Sequence, residues 1–186
     1  MPKKTSRREL LADAALALID REGLNQVTHR AIDTAAGVPA GTTSNYFRTR
    51  AALYQAIAQR LLELQLAEID RLATPADADP ADLLAVLADP DSSVARNRLL
   101  ARTELTLAAA RDPELADLMR RLRASALRQL TAILRARYRH PTDEQIDALG
   151  SVFTGIALDR IALGVPAMDP RVLFDAVCAG LLQPGE

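Results

Sequence analysis

The chain is poor in cysteine and in aromatic residues. Its 186 residues include one cysteine, no tryptophan, three phenylalanines and three tyrosines. Cys178 has no partner for a disulfide within the chain, and its place in an apolar run predicts a buried, unreactive thiol. The sequence also lacks the apolar run of about 18 residues that a membrane-spanning helix needs. Because the basic N-terminal segment MPKKTSRREL is not followed by a hydrophobic one, we expect no secretory signal and no membrane contact, and hence a cytoplasmic protein.

Residue types that carry catalysis and metal binding are scarce as well. The chain has two histidines, His29 and His140, and it contains no G-x-S-x-G elbow, no H-E-x-x-H helix and no phosphate-binding glycine loop. Nucleophilic and metal-dependent sites need several such residues together. We therefore predict no catalytic residue, no metal and no cofactor, and a helical enzyme becomes a minor alternative to a binding protein.

Alanine and leucine dominate the composition, and hydrophobic residues make up 49% of the chain. Because β-branched and aromatic residues are few, this composition favours an all-α fold. Capping residues, prolines and glycines divide the apolar periodicity into nine predicted helices. The first lies between the Ser6/Glu9 capping box and Gly23, and the others span 28–36, 39–46, 49–72, 81–88, 94–111, 113–139, 143–163 and 170–182.

The most informative stretch is 28–53, which reads THRAIDTAAGVPAGTTSNYFRTRAAL. Thr28 can cap a short helix, and Gly37 can supply the left-handed backbone conformation of a sharp reversal after it. Val38 is the apolar residue that such a turn buries, and Pro39 is expected to open a second short helix at its first position. Two short helices joined by a tight turn predict a unit in which the turn fixes the direction of the second helix.

This second helix carries small polar residues and nothing acidic. Such a helix fits the major groove of DNA, where hydroxyl and amide groups meet base edges, thymine methyls and phosphates. The histidine that opens the preceding helix could reach a phosphate. A surface helix pair in an all-α protein remains the alternative from spacing alone. The predicted DNA contacts are Thr28, His29, Ala40, Gly41, Thr42, Thr43, Ser44, Asn45, Tyr46, Arg48 and Arg50.

These residues lead to a family resemblance. The runs Ala36-Gly37-Val38, Gly41-Thr42, Tyr46-Phe47 and Thr49-Arg50, followed by Leu53, resemble the DNA-binding signature of TetR-family repressors, A-G-V-S-x-G-T-L-Y-x-Y-F-x-S-K-x-x-L. The resemblance covers the first third of the chain closely and the remainder only in helical layout. It implies a three-helix helix-turn-helix domain, placed at 1–50, and a helical ligand-binding and dimerisation domain at 51–186.

Three departures from that signature matter. Pro39 replaces a capping Ser or Thr, so we expect the second helix to lack a side-chain cap. Thr43 and Ser44 replace a Leu-Tyr pair, which changes any contact that the family makes through that tyrosine. Arg50 replaces a lysine, which keeps the positive charge and can add a bidentate phosphate contact.

The net charge of −1 hides an asymmetry. Residues 1–50 contain eight Lys or Arg and five Asp or Glu, a net charge of +3, which leaves −4 for the rest of the chain. This difference predicts that the first part binds a polyanion such as double-stranded DNA.

Charge is scarce over most of the last two predicted helices: Asp159 and Arg160 are the only charged residues between 148 and 163, and Asp175 is the only one between 172 and 182. A helix that is apolar nearly all round is buried on two sides. We interpret the pair as the face of a homodimer that forms a four-helix bundle with its copy, as the TetR resemblance also implies. A wholly internal core is the alternative. The predicted interface residues are Ser151, Gly155, Leu158, Ala162, Leu173, Val177 and Leu181.

The family resemblance further implies that the middle helices enclose a small-molecule pocket. Thr103 and Thr106 would place hydroxyls among apolar residues of one face, as in a mostly apolar site with few polar anchors. An ordinary core would use the same residues, since a threonine can satisfy its hydroxyl on its own helix backbone. The predicted ligand-binding residues are Leu99, Thr103, Thr106, Met119, Leu122, Ala126 and Phe153.

Together these features are typical of a dimeric transcriptional repressor that binds a palindromic DNA operator and is released by an unidentified small-molecule effector. The TetR resemblance implies that release follows from a change in the tilt of the long fourth helix, because two recognition helices must match half-sites about 34 to 36 Å apart. The alternative is a helix-turn-helix regulator without an effector, controlled by a protein partner or by its own concentration.

Overall fold

A computed structural model describes residues 6–72, 93–165 and 169–182. Within these ranges the architecture is all-α, as predicted, and no helix is long and apolar enough to cross a membrane. The elements are α1 Arg7–Glu22, a 3-10 turn Leu24–Gln26, α2 His29–Ala35, α3 Thr42–Tyr46, α4 Arg50–Leu72, α5 Ser93–Ala109, α6 Pro113–Arg137, α7 Asp143–Leu163 and α8 Pro170–Leu181.

Several helices begin where their capping residues predict. Ser6 and Glu9 form a reciprocal capping box at the start of α1, and Thr142 and Gln145 form another at the start of α7. Each box satisfies two backbone N–H groups that a helix start would otherwise leave unpaired. These eight helices correspond to eight of the nine predicted ones, and the predicted helix at 81–88 lies outside the described residues.

The chain divides into two compact units, and the described residues of the first are 6–66 and 97–122. Its core joins apolar side chains of α1, α2 and α4, together with Phe47, to side chains of α5 and α6. By packing, this unit therefore extends beyond the domain predicted at 1–50. Core members with no measurable exposure include Leu11, Ile32, Phe47, Ile57, Leu105 and Leu115.

The described residues of the second unit are 67–72, 93–96, 123–165 and 169–182. Its core comes from α6, α7 and the C-terminal segment, and the stacked rings of Phe153 and Phe174 lie 5.6 Å apart at its edge. The predicted burial of Cys178 is confirmed, and burial raises the pKa of its thiol to about 11. The core members are Leu130, Leu134, Ile146, Leu149, Phe174, Cys178 and Leu182.

Candidate nucleic-acid interface

The turn that follows α2 is closed by a Schellman motif. α2 starts at its N-cap Thr28, whose side chain accepts a backbone N–H of the first turn. At its other end, the N–H groups of Val38 and Gly37 donate to the carbonyls of Asp33 and Thr34 at 3.0 and 3.2 Å. Gly37 has a φ of 64°, the left-handed conformation that this motif requires. The predicted cap and the predicted reversal are both confirmed.

The second short helix begins later than predicted. Pro39 does not open it, because 39–42 form a turn in which the Thr42 N–H donates to the Pro39 carbonyl at 3.1 Å. Gly41 is the N-cap, with a φ of 89°. A side chain in this left-handed region costs about 1–2 kcal/mol, so glycine suits the position. The helix is therefore the five residues Thr42–Tyr46, and the prediction of a start at Pro39 is wrong.

A carboxylate from α2 caps α3 across the turn. Asp33 is 3% exposed, and it accepts the N–H groups of Gly41 and Thr43, both at 2.7 Å. The Thr43 hydroxyl donates to the same carboxylate at 2.5 Å. Gly41 has no side chain to offer, so Asp33 takes the place of the Ser or Thr that usually caps a helix. The prediction that α3 lacks a side-chain cap is correct for its own N-cap residue Gly41, but Asp33 of α2 supplies a cap from a distance.

The surroundings of Asp33 shift the pKa of its carboxyl group. Burial by itself raises the pKa, but the hydrogen bonds from the Thr43 hydroxyl, the Thr43 N–H and the Gly41 N–H lower it, and the charge of nearby His29 lowers it further. The balance leaves the pKa below its ordinary value. The carboxylate is therefore ionised at neutral pH, and its hydrogen bonds are of the stronger, charge-assisted kind.

His29 connects the beginning of α2 to the end of α3. Its Nε2 donates to the carbonyl of Phe47 at 2.7 Å. The Phe47 side chain has no measurable exposure and forms a buried aromatic plug at the end of α3. We call α1 to α3 the headpiece. Inside it, His29 holds the C-terminal end of α3, and only Nδ1 of its ring remains for a contact with a phosphate.

Most of the predicted DNA contacts lie on the surface, but one does not. The Thr43 side chain has no measurable exposure, and its hydroxyl donates to Asp33. This placement does not support the predicted contact of Thr43 with a base edge. Thr42 and His29 are half-buried. The exposed members of the set are Thr28, Ala40, Gly41, Ser44, Asn45, Tyr46, Arg48 and Arg50.

Two arginines of this region lie over aromatic rings. The Arg50 guanidinium is 5.1 Å from the centroid of the Tyr54 ring, and its Nε donates to the Tyr54 hydroxyl at 2.6 Å. The Arg8 guanidinium is 4.7 Å from the centroid of the Phe47 ring. Contacts of this kind restrict the direction of a long cationic side chain. Arg50 is thereby held at the beginning of α4, three residues after the buried plug.

Polar contacts also tie the headpiece to α4 and α5. Oε2 of Glu104, on α5, accepts the N–H of Leu24 in the 3-10 turn at 2.5 Å. Arg60, on α4, donates two hydrogen bonds to the carboxylate of Asp13, on α1, at 2.7 and 2.9 Å. The side-chain hydrogen bond to Asp13 raises the pKa of the Arg60 guanidinium. These bonds would therefore transmit a movement of α4 or α5 to the headpiece.

Sequence reasoning missed Asp33 and Glu104. An acidic residue directly after the apolar Ile32 in the short helix α2 was the available signal for Asp33. No comparable signal marks Glu104, since its partner Leu24 lies 80 residues away in the chain.

The seven predicted ligand-binding residues fall in both compact units, so neither unit holds the whole set. Met119 and Leu122 are buried in the core of the first unit, whereas Phe153 packs on the core of the second. The Thr103 hydroxyl donates to the Leu99 carbonyl at 2.9 Å, and the hydroxyl of exposed Thr106 donates to the carbonyl of the residue four positions earlier at 2.7 Å. Of the remaining two, Leu99 is buried and Ala126 is half-buried. Both threonines thus satisfy their hydroxyls on their own helix, and exposed Thr106 is not a core residue.

None of the seven predicted dimer residues, which lie on α7 and α8, is fully buried in the single chain. Their exposed neighbours include Val152 (39% exposed), Leu163 (72%) and Val172 (55%), which sequence reasoning did not single out. Of the predicted set, Ser151, Gly155, Ala162 and Leu181 are exposed, and Leu158, Leu173 and Val177 are half-buried.

The headpiece presents the chemistry of contact with nucleic acid. Its short polar helix suits contact with base edges, and the exposed cations Arg48 and Arg50 that follow it suit contact with phosphates. Within the described ranges, no three His, Cys, Asp or Glu side chains are placed to hold a metal ion.

Two family profiles match the chain. The profile described as bacterial regulatory proteins, tetR family, matches residues 11–57. The profile described as tetracyclin repressor-like, C-terminal domain, matches residues 73–184. No curated protein sequence gives a significant match.

Solved structures with the same fold resemble the chain over nearly its whole length. A transcriptional regulator from Rhodococcus sp. Rha1 gives a TM-score of 0.74 at 24% identity, covering 95% of this chain and 94% of that one. The multidrug binding protein EbrR, complexed with ethidium, gives 0.70 at 25% identity, covering 94% and 99%. A TetR-family member from Streptomyces coelicolor A3 gives 0.66 at 26% identity, covering 92% and 98%.

Proposed function

The chain belongs to the TetR family of bacterial transcription regulators, and from this premise we propose that it is a dimeric repressor that binds a palindromic DNA operator. A small-molecule effector releases it, and it acts in the cytoplasm, where its operator lies. The observation that carries the DNA-binding part is α3, a short polar helix capped by Asp33 and followed by Arg48 and Arg50. Such a helix can enter the major groove without a steric obstacle.

The residues of the interface divide into three roles. Residues of α3 as far as Asn45, with the turn before them, approach the base edges, whereas Thr28, Tyr46, Arg48 and Arg50 approach the phosphates on either side of the groove. His29 and Thr43, which bond to Phe47 and Asp33, act mainly by holding α3 in place. The base contacts assigned to α3 and the turn before it are Ala40, Gly41, Thr42, Ser44 and Asn45.

The exposed apolar side chains of α7 and α8 support a homodimer. Val152, Leu163, Val172 and Leu181 are 39%, 72%, 55% and 38% exposed in the single chain. Large apolar side chains that remain exposed on a single chain can mark an interaction site. A two-fold dimer would bury them against the same residues of a second copy and would form a four-helix bundle. It would also bring two headpieces to the two half-sites of a palindrome.

The effector part of the proposal rests on the family and on EbrR, a protein whose structure contains bound ethidium. The seven residues predicted above to bind the ligand stay a prediction from the sequence, since they fall in both compact units. The headpiece contacts to α4 and α5, through Asp13–Arg60 and Leu24–Glu104, offer the mechanical link. A ligand that changes the tilt of these helices changes the separation of the two recognition helices, and the complex then loses one half-site.

One experiment tests the operator. Random duplexes are selected with the purified protein, and the affinity for the selected duplex is measured from 50 to 200 mM salt, a range in which several phosphate contacts cost about 10³-fold or more. We expect a near-palindromic site and a steep salt dependence. Sedimentation of the free protein at micromolar concentration should give a dimer. No sequence preference, or an affinity independent of salt, would contradict the proposal.

A regulator without an effector is the second candidate. It is favoured by the two threonines that satisfy their hydroxyls on their own helix, and by the burial of Leu99, Met119 and Leu122. A melting temperature that no member of a broad metabolite library raises would favour this candidate, because a ligand that binds only the folded state stabilises it.

A further inference from the structure

Asn45 lies at the centre of the exposed face of α3. The inward side of the helix is defined by Thr43 and by Phe47 just after it, neither of which has any measurable exposure. An α-helix turns by about 100° per residue, so a residue two positions from an inward-facing one points about 200° away, roughly to the opposite side. Asn45 is two positions from both. It therefore points away from the headpiece.

The other polar side chains of α3 are less free to recognise a base. The Thr42 hydroxyl donates to the Pro39 carbonyl at 2.6 Å, and the Ser44 hydroxyl donates to the Gly41 carbonyl at 3.0 Å. A hydroxyl has a single hydrogen to donate, so these two can only accept a further bond. The Thr43 hydroxyl is buried on Asp33. Among the described residues, the Asn45 side chain has no hydrogen-bond partner.

An asparagine amide without a hydrogen-bond partner offers an NH₂ donor group and a carbonyl acceptor side by side in one plane. In the major groove, adenine presents N7 as an acceptor beside the N6 amino group as a donor, and this pair matches an asparagine amide in a bidentate contact. Guanine presents two acceptors there, and pyrimidines do not present the pair. Tyr46, the remaining exposed polar side chain of α3, has one hydroxyl and cannot make the same two-point contact.

From this geometry we infer that Asn45 is the specificity-determining residue of α3 and that it selects an adenine in each half-site. The inference rests on the proposed DNA-binding function. Because Asp33 and His29 hold the two ends of a helix of only five residues, the Asn45 side chain leaves a rigid backbone at a fixed point. In a palindromic site the two copies would read the same base at symmetric positions.

The test uses the duplex selected by the wild-type protein. At each adenine of the half-site, 7-deazaadenine is substituted, which removes the N7 acceptor and leaves the base pair intact. Affinities are measured for the wild-type protein, for Asn45→Ala, and for Thr34→Ala, a control that replaces an exposed polar residue of α2. Circular dichroism establishes that both variants melt as the wild type does.

We expect one adenine position at which 7-deazaadenine, or replacement by another base, weakens wild-type binding about fivefold or more, since a bidentate contact discriminates by about 5- to 150-fold. Asn45→Ala should abolish that penalty and keep the preferences at other positions, whereas Thr34→Ala should retain it. The inference is overturned if Asn45→Ala keeps the same penalty, or if it weakens all duplexes equally. A wild-type protein that selects no sequence would instead remove the proposed function itself.

Discussion

Removal of the Asp33 carboxylate tests whether α3 is held from α2. Asp33→Ala leaves the Gly41 N–H, the Thr43 N–H and the Thr43 hydroxyl without their acceptor. Thr43 has no measurable exposure, so water cannot replace the lost bonds there unless the structure opens. We expect the headpiece to lose stability and α3 to lose its fixed start.

The magnitude follows from the bonds. Loss of a helix cap costs about 0.5–2 kcal/mol, and each buried polar group left unpaired costs about 1–3 kcal/mol. These costs are not additive, because the helix start can shift to expose part of the turn. We therefore expect Asp33→Ala to lower the free energy of unfolding by about 2–4 kcal/mol. Asp33→Asn should cost less, since its oxygen can still accept from Thr43, while its amino group faces the Gly41 N–H.

The pH dependence gives an independent check with a defined sign. The folded-state pKa of Asp33 lies below its ordinary value of 3.8. The stability that the ionised carboxylate supplies is therefore present above pH 3.8 and is lost as the pH falls through the lower folded pKa. The difference in unfolding free energy between the wild type and Asp33→Ala should be constant near neutral pH and should shrink in acid.

Urea unfolding followed by circular dichroism measures these differences, and amide exchange at Thr43 locates them in α3. Asp20→Ala, which removes a partly exposed carboxylate of α1, is the matched control and should be close to neutral. A double-mutant cycle with Thr43→Val should show coupling, because the two side chains share a hydrogen bond. The reasoning fails if Asp33→Ala unfolds at the wild-type urea concentration, or if its cost is the same in acid.

Three further predictions address other parts of the chain. Gly155→Glu should convert a dimer to a monomer in sedimentation, because a side chain at Gly155 meets open space within one chain and would place a charge in the proposed seam; a persistent dimer would move the seam elsewhere. Glu104→Gln should lower the free energy of unfolding by about 1 kcal/mol in urea titrations, since the bond to the Leu24 N–H loses its charge, and an unchanged midpoint would show that the bond adds no stability. Cys178, whose thiol pKa burial raises to about 11, should resist alkylation at pH 8 until urea is added, and rapid labelling of the native protein would contradict its burial.

The parts of this structure that the sequence determined by itself are local ones. The capping boxes, the cap at Thr28 and the reversal at Gly37 each join residues within five positions of one another, so their side-chain types and spacing are sufficient. The family signature works in the same way, because it records a short run of neighbouring residues. The start of α3 is the local exception, since Pro39 is equally suited to the first position of a turn and of a helix, and Gly41 decides between them.

Only the tertiary structure decided which side chains of the headpiece are free. The composition of α3 made Thr43 and Asn45 look equivalent, but the packing of α3 on Asp33 and Phe47 buries the first and exposes the second. The bond between Leu24 and Glu104 likewise joins residues that are 80 positions apart. Hydrogen bonding and burial act between whatever groups the fold brings together, whereas sequence patterns describe one helix at a time. The interface could therefore be located from the sequence, while the role of each residue within it depended on which face each helix turned toward its neighbours.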